Sequence, residues 1–256
     1  MADDDETRAD DAHEPEAQPL IGGEPENPTL AEVREHSRRK TFGIRAASAL
    51  VMIAIVAGVY WALGERGLDL IVGAVAALCF LEFIFLVIKA TGNIPYRLAG
   101  ILAGAAYIGL SAVILIDADM QAFYIVLGVV ILADTFAYLF GTLIGGPRIL
   151  PKVSPNKTWA GLLGGMFGGF LAMTPLIYIS SSLMGVLDTQ ALTVAAVAGP
   201  VLAAIALGGD LFESWLKRKA GVKDSSRLIP GHGGFFDRFD GVIPVAIVIG
   251  AITSLA

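Results

Sequence analysis

Residues 67–89 read GLDLIVGAVAALCFLEFIFLVIK. The run is apolar on every side, free of proline, and long enough for the roughly 20 residues a helix needs to cross a bilayer. Six more apolar runs flank it, at 41–63, 97–117, 121–145, 158–187, 190–212 and 241–256. Only 16% of the chain is charged, against about 25% in an ordinary water-soluble domain. That leaves too few charged groups to coat a water-facing surface. The expectation is an all-α, polytopic membrane protein of about seven transmembrane helices, with one membrane domain over 41–256. The 158–187 run is long for one crossing, and Pro175 is where it would kink. Gly161, Gly164, Gly165, Gly168 and Gly169 fall on one face of that helix. A phosphate-cradling loop is the sharper reading, but a helix interior offers no free N–H groups. Close approach of a neighbouring helix is therefore favoured.

The basic residues orient this layout. With the N-terminus in the cytoplasm, all of the 18 Lys and Arg except Arg66 fall on the cytoplasmic side, as the positive-inside rule requires. The opposite loops hold Glu65, Asp69, Asp117, Asp119 and Asp188, and the C-terminus falls outside. Residues 1–40 carry half of the 24 acids and few large apolar side chains. They read as a disordered acidic tail, with a docking arm as the alternative. No secretory leader is expected, because the first apolar run begins only near Thr41. The single Cys79 lies in an apolar run and is expected to pack. His13, His36 and His232 are too scattered for a zinc cluster.

Three acids, Glu82, Asp134 and Asp210, lie inside or near the ends of apolar runs. A carboxylate in lipid is expensive, so it faces a wet cavity or a partner. For Glu82 a structural hydrogen bond between helices is an equal alternative. Tyr138 follows Asp134 by one helical turn, so both can line one cavity. If the sixth helix runs on past the membrane surface, Asp210, Ser214 and Lys217 share a face. At about 1.5 Å per residue, Asp210 then lies about 10 Å below Lys217. A polar loop follows, from Lys223 through Asp240, mixing acids, cations, His232 and glycines. Oxygen-only carboxylate surroundings suit Mg²⁺ bridging to a phosphorylated substrate, and Lys and Arg suit phosphate oxygens. A solvated loop with incidental charges is the bland alternative, and the glycine pattern and acid placement argue against it. The other cytoplasmic loop reads Lys152-Val153-Ser154-Pro155-Asn156-Lys157-Thr158. Here Ser154 is expected to cap the next helix, with Pro155 at its first position.

These residues resemble a known family. Ser214-x2-Lys217-Arg218-x4-Lys223-Asp224-x5-Pro230-Gly231-His232-Gly233-Gly234-x2-Asp237-Arg238-x-Asp240 is similar to the C-terminal signature of the phosphatidate cytidylyltransferases. Asp134-Thr135-x-Ala137-Tyr138 and Ser154-Pro155-Asn156-Lys157-Thr158-Trp159 match two more family segments in order. The resemblance implies transfer of the cytidyl group of CTP to phosphatidic acid, giving CDP-diacylglycerol and pyrophosphate, with Mg²⁺ and in addition K⁺ as ions. It implies Asp210 and Asp237 as metal ligands, and Lys217, Arg218, Lys223 and Arg238 as phosphate-neutralising groups. Ser214, Asp224, His232 and Asp240 would orient groups at the reaction centre. Asp134, Tyr138, Lys152, Ser154, Asn156, Lys157 and Thr158 would bind substrate. The chain departs from the family at Thr142, Gly146 and Pro147, where cations are common, and at Ala160, where Glu is frequent. The expected partners are CTP, phosphatidic acid and membrane lipid, with no nucleic acid and with a homodimer left open. The expected location is a bacterial inner membrane, with the active-site loops cytoplasmic. Three other readings compete: a CTP-dependent polyprenol or lipid kinase, an ion-coupled transporter and a structural scaffold.

Overall fold

The computed structural model describes residues 47–48, 50–183, 185, 188–230 and 233–254. The expected acidic tail and His232 lie outside these residues. Among the described residues, five helices are long and apolar enough to cross a membrane. They are α2 (Glu65–Ala90), α3 (Ile94–Asp117), α4 (Met120–Leu143), α5 (Trp159–Leu183) and α6 (Thr189–Ala220). Shorter apolar helices, α1 (Leu50–Leu63) and α8 (Val242–Thr253), stand where the first and seventh spans were expected. One turn of helix, α7 (Phe236–Phe239), precedes α8. The all-α, polytopic membrane class holds, with five full-length span candidates and two shorter apolar helices among the described residues.

Large apolar side chains point outward all along the long helices: Leu70, Leu102, Ile131, Leu163 and Val197 are each at least 60% exposed. In water such a surface would be an aggregation hazard, and in a bilayer it is the lipid contact. Two apolar clusters fill the interior. Val126, Val129 and Val130 of α4 pack with Leu202 and Ala206 of α6 and with Val245 and Ala246 of α8. Phe83 and Leu86 of α2 pack with Ile108 of α3, Leu216 of α6, Phe236 of α7 and Ile243 of α8. Cys79 is buried in the second cluster, as expected.

The glycine face of α5 packs as the spacing predicts. A Cβ at Gly164 would meet Phe136 and Phe140, one at Gly168 would meet the Leu132 carbonyl, and one at Gly169 would meet the backbone of Gly199 in α6. Helices α4, α5 and α6 thus touch backbone to backbone. Pro175 lies inside α5, which continues through it.

Polar side chains set the helix ends. Asn93, Asp119 and Asp188 accept hydrogen bonds from the first-turn amides of α3, α4 and α6. Helix α6 does run past the apolar stretch and ends at Gly221, which takes a left-handed φ of 69°. The Val222 and Gly221 amides then donate to the carbonyls of Lys217 and Arg218, a Schellman ending.

One sequence expectation fails here. Ser154 does not cap a helix. Residues Ser154–Thr158 form strand β2, antiparallel to β1 (Arg148–Leu150), with Leu150 opposite Ser154 and Arg148 opposite Thr158. Thr158 takes the capping place instead, accepting from the Gly161 amide at 3.0 Å. The reason is the backbone before it: the Ser154 to Thr158 segment pairs its main chain across the hairpin, so helical bonding starts only after Thr158.

Substituting Gly168 by Val is expected to wedge α5 from α4 and to cost about 1–3 kcal/mol by overpacking. That corresponds to a fall of about 3–10 °C in the detergent melting midpoint. Gly128→Ala, where the added Cβ meets nothing within 4 Å, should leave the midpoint in place.

Candidate active site

A cavity of about 760 Å³ opens between α4, the β1–β2 hairpin, the start of α5, α6 and the α7–α8 junction. Ten of the residues expected at the site line it. Asp134 and Tyr138 come from α4, Ser154, Asn156, Lys157 and Thr158 from β2, Asp210 from α6, and Asp237, Arg238 and Asp240 from the α7 region. Residues far apart in sequence meet here because α4, α5 and α6 pack so closely. Gly209 adds to this, since a Cβ on it would strike the Asp240 carbonyl. Position 209 thereby brings Asp210 and Asp240 together.

Carboxylate oxygens of Asp210, Glu213 and Asp240 lie within 4.8 Å of one another. Lys157 forms an ion pair with Asp210, and Ser214 donates to the Asp210 Oδ1 at 3.4 Å. Burial works against the charge on Lys157, but Asp210 more than offsets this and raises its pKa. Asp240 is raised, first by burial and then by the nearby charge of Asp210. Glu213 is 1% exposed. Its Oε2 meets Lys217 at 2.7 Å, and its Oε1 is buried with no hydrogen-bond partner among the described residues. The sequence reading left Glu213 without a role. Its signal was spacing: three residues after Asp210 and four before Lys217, it shares their helical face.

Asp237 sits beside this group and is held on several sides. It accepts from Lys217 Nζ at 2.9 Å, from the Ser225 amide at 3.0 and 3.1 Å, and from the Gly234 amide at 2.9 Å. Burial opposes its charge, yet the Glu213 side chain, the Gly234 amide and Lys217 together hold its pKa well below the usual carboxylate range. Glu82 has a similar position deeper in the protein. It is 3% exposed and accepts from the hydroxyls of Ser225 (2.8 Å) and Ser226 (2.5 Å) and the amides of Phe235 (3.1 Å) and Phe236 (2.8 Å). Of the two readings of Glu82 weighed from sequence, the hydrogen-bonded partner is the one found, and its partner is a loop rather than another helix.

Of the other expected residues, all but His232 are described, and they lie outside the cavity lining. Lys217 reaches Asp237 from beneath the loop. Arg218 donates to the Val153 carbonyl at 3.2 Å and ties the end of α6 to the hairpin. Lys152, Lys223 and Asp224 are exposed.

Comparison with known proteins adds a family. Residues 97–256, more than half of the chain, match the model of the cytidylyltransferase family. The chain belongs to that family. Among its relatives, a phosphatidate cytidylyltransferase of Staphylococcus aureus (strain COL) is 37% identical over 142 residues, 54% of this chain and 52% of the relative. One of Brucella abortus biovar 1 (strain 9-941) is 41% identical over 120 residues, 45% of this chain and 40% of the relative. The chain thus spans about half the length of the curated relatives it matches. All ten cavity-lining residues fall inside the cytidylyltransferase match, whereas Glu82 lies before it.

The lowered pKa of Asp237 fixes the sign of a pH effect. A carboxylate with a depressed folded pKa stabilises fully above its unfolded value of about 3.9, and that contribution is lost as pH falls through the folded value. Hydrogen-exchange protection of the 223–236 loop is therefore expected to stay constant from pH 7 to about 5. Asp237→Asn should lower that protection throughout this range, and the two proteins should converge only below about pH 4.

Proposed function

We propose that the chain is a phosphatidate cytidylyltransferase, joining CTP to phosphatidic acid to give CDP-diacylglycerol and pyrophosphate. The observation that carries this is the cavity itself. It is lined by four acids, Asp134, Asp210, Asp237 and Asp240, and by Lys157, all on the segments that resemble the phosphatidate cytidylyltransferases, and the chain's relatives bear that activity in their names. Cytidylyl transfer asks for positioning and charge neutralisation more than covalent work by the protein. An oxygen of the lipid phosphate attacks the α-phosphorus of CTP, and the bond to the bridging oxygen breaks to release pyrophosphate. Both substrates are anionic, so they must be brought together against their own repulsion. Lys157 and Arg238 line the cavity and would neutralise phosphate oxygens. Asn156 and Thr158, also on its wall, offer hydrogen bonds that would orient the nucleotide. Lys217 and Arg218, just outside, would hold the loop and the hairpin in place around the substrates.

The donor set suits Mg²⁺. It is oxygen-only, clustered, and includes the unpartnered Oε1 of Glu213. Asp210 would hold the ion together with Glu213 and Asp240, whose carboxylate oxygens lie within 4.8 Å of its own; Asp237, on the same cavity wall, would be the further ligand that the resemblance implies, with K⁺ as an accompanying ion. When bound, the metal supplies positive charge against the phosphates and the pyrophosphate leaving group. The positive-inside bias supports a cavity on the cytoplasmic side of a bacterial inner membrane, where CTP is available.

The test is purified protein in detergent with radiolabelled CTP, phosphatidic acid and Mg²⁺. Labelled CDP-lipid and an equal amount of pyrophosphate are expected, both abolished by EDTA. Asp210→Asn and Asp237→Ala are expected to lower turnover by at least about 100-fold while the protein stays in the membrane fraction. Release of CDP with a phosphorylated lipid would instead mean a kinase, and would overturn the reading.

A further inference from the structure

Two carboxylates, Glu82 and Asp237, grip the same two pieces of chain. Ser225 gives its hydroxyl to Glu82 at 2.8 Å and its amide to Asp237 at 3.0 Å. Across the loop, three consecutive amides divide between them: Gly234 donates to Asp237, while Phe235 and Phe236 donate to Glu82. Between these pieces, among the described residues, the Leu228 amide donates to the Ser226 hydroxyl and the Ile229 amide to the Gly233 carbonyl. An apolar seal covers the Glu82 side, where the buried Phe236 ring meets Phe83 edge to face at 5.6 Å. Excluding water there strengthens each charge-assisted hydrogen bond.

We propose that Glu82 is a positioning residue of the active site, acting through Ser225 and the Gly234–Phe236 backbone to fix the carboxylate of Asp237. The kinetic part of this rests on the cytidylyl-transfer reading. The geometric part does not, and it carries two further requirements. Each oxygen of Glu82 receives one backbone amide, Phe235 to Oε1 and Phe236 to Oε2. A glutamine at 82 must turn its NH₂ onto one of these amides, and no rotation relieves two donors facing each other. The lock therefore needs a carboxylate, not merely a side chain of that size. Position 234 must also stay glycine, because a Cβ there would meet Ser225 Oγ and the Glu82 carboxylate. No positive φ is recorded at Gly234, so close approach is the reason.

The experiment compares wild type, Glu82→Gln, Ser225→Ala and Ser226→Ala in detergent, by steady-state kinetics and by hydrogen exchange without substrate. Partners that orient a reacting group cost about 10–100-fold when removed. Glu82→Gln is expected to lose that much in kcat, with KM for CTP within about three-fold of wild type. The Ser225 and Gly234 amides, which donate to Asp237, should exchange faster. Ser225→Ala cuts the bridge between the two carboxylates and should lose about 10-fold in kcat, whereas Ser226→Ala, whose hydroxyl meets Glu82 and the Leu228 amide but not Asp237, should lose less than about 3-fold. A folded Glu82→Gln protein with wild-type kcat, or with unchanged exchange at Ser225 and Gly234, would overturn the proposal. If Glu82→Gln does not fold, the serine pair decides, and equal losses in the two would overturn it. A wild-type protein without turnover would sink the proposed reaction, and the exchange data would still decide whether Glu82 sets Asp237.

Discussion

A carboxylate carried into the membrane interior by a helix must find hydrogen-bond donors, and at Glu82 that requirement organises the polar end of the protein. Desolvating one such ion costs several kcal/mol. Four donors, each worth about 1.5–3 kcal/mol to a charged acceptor, roughly offset this. The near-cancellation means the lock adds little net stability while being unforgiving of the loss of any partner. Its effect is on conformation: two hydroxyls and two amides have to come to one point, and only a folded-back loop delivers them. Asp237 repeats the pattern on the cavity wall, taking two amides from the same chain segments and adding Lys217 of α6.

This view explains which parts of the protein were legible in the sequence. The helices of the membrane domain could be read from apolar length, and the glycine face of α5 from its spacing, because both follow from local periodicity. The continuation of α6 beyond the bilayer was legible from the shared face of Asp210, Ser214 and Lys217. The hairpin was missed because Ser154-Pro155 has the chemistry of a helix start, and only pairing with Arg148–Leu150 shows that it is a strand.

The site divided in the same way. Ten expected residues do share a cavity, since fixed-spacing motifs place them at the ends of elements that pack. Others act at a distance that no motif reveals: Arg218 binds the hairpin's main chain, and Lys217 braces Asp237 from outside the cavity. Glu82 was ambiguous in principle. Its partners lie more than 140 positions away, and nothing local to 67–89 distinguishes a carboxylate facing a wet cavity from one facing a folded loop.

That separation in sequence has a consequence for biosynthesis. Glu82 leaves the ribosome 143 residues before Ser225 and 154 before Phe236. At about 5–20 residues per second, α2 sits in the bilayer for roughly 7–30 s before its donors are even synthesised. Through that interval the nascent chain carries an acid toward one end of an apolar helix, where the penalty stays below the about 2.5–3.5 kcal/mol of a charge at a helix centre. That cost is offset only when the last polar loop arrives and closes over the helix. Completion of membrane integration and assembly of the reaction centre are therefore one event, and a chain stalled before residue 236 would be left with both undone.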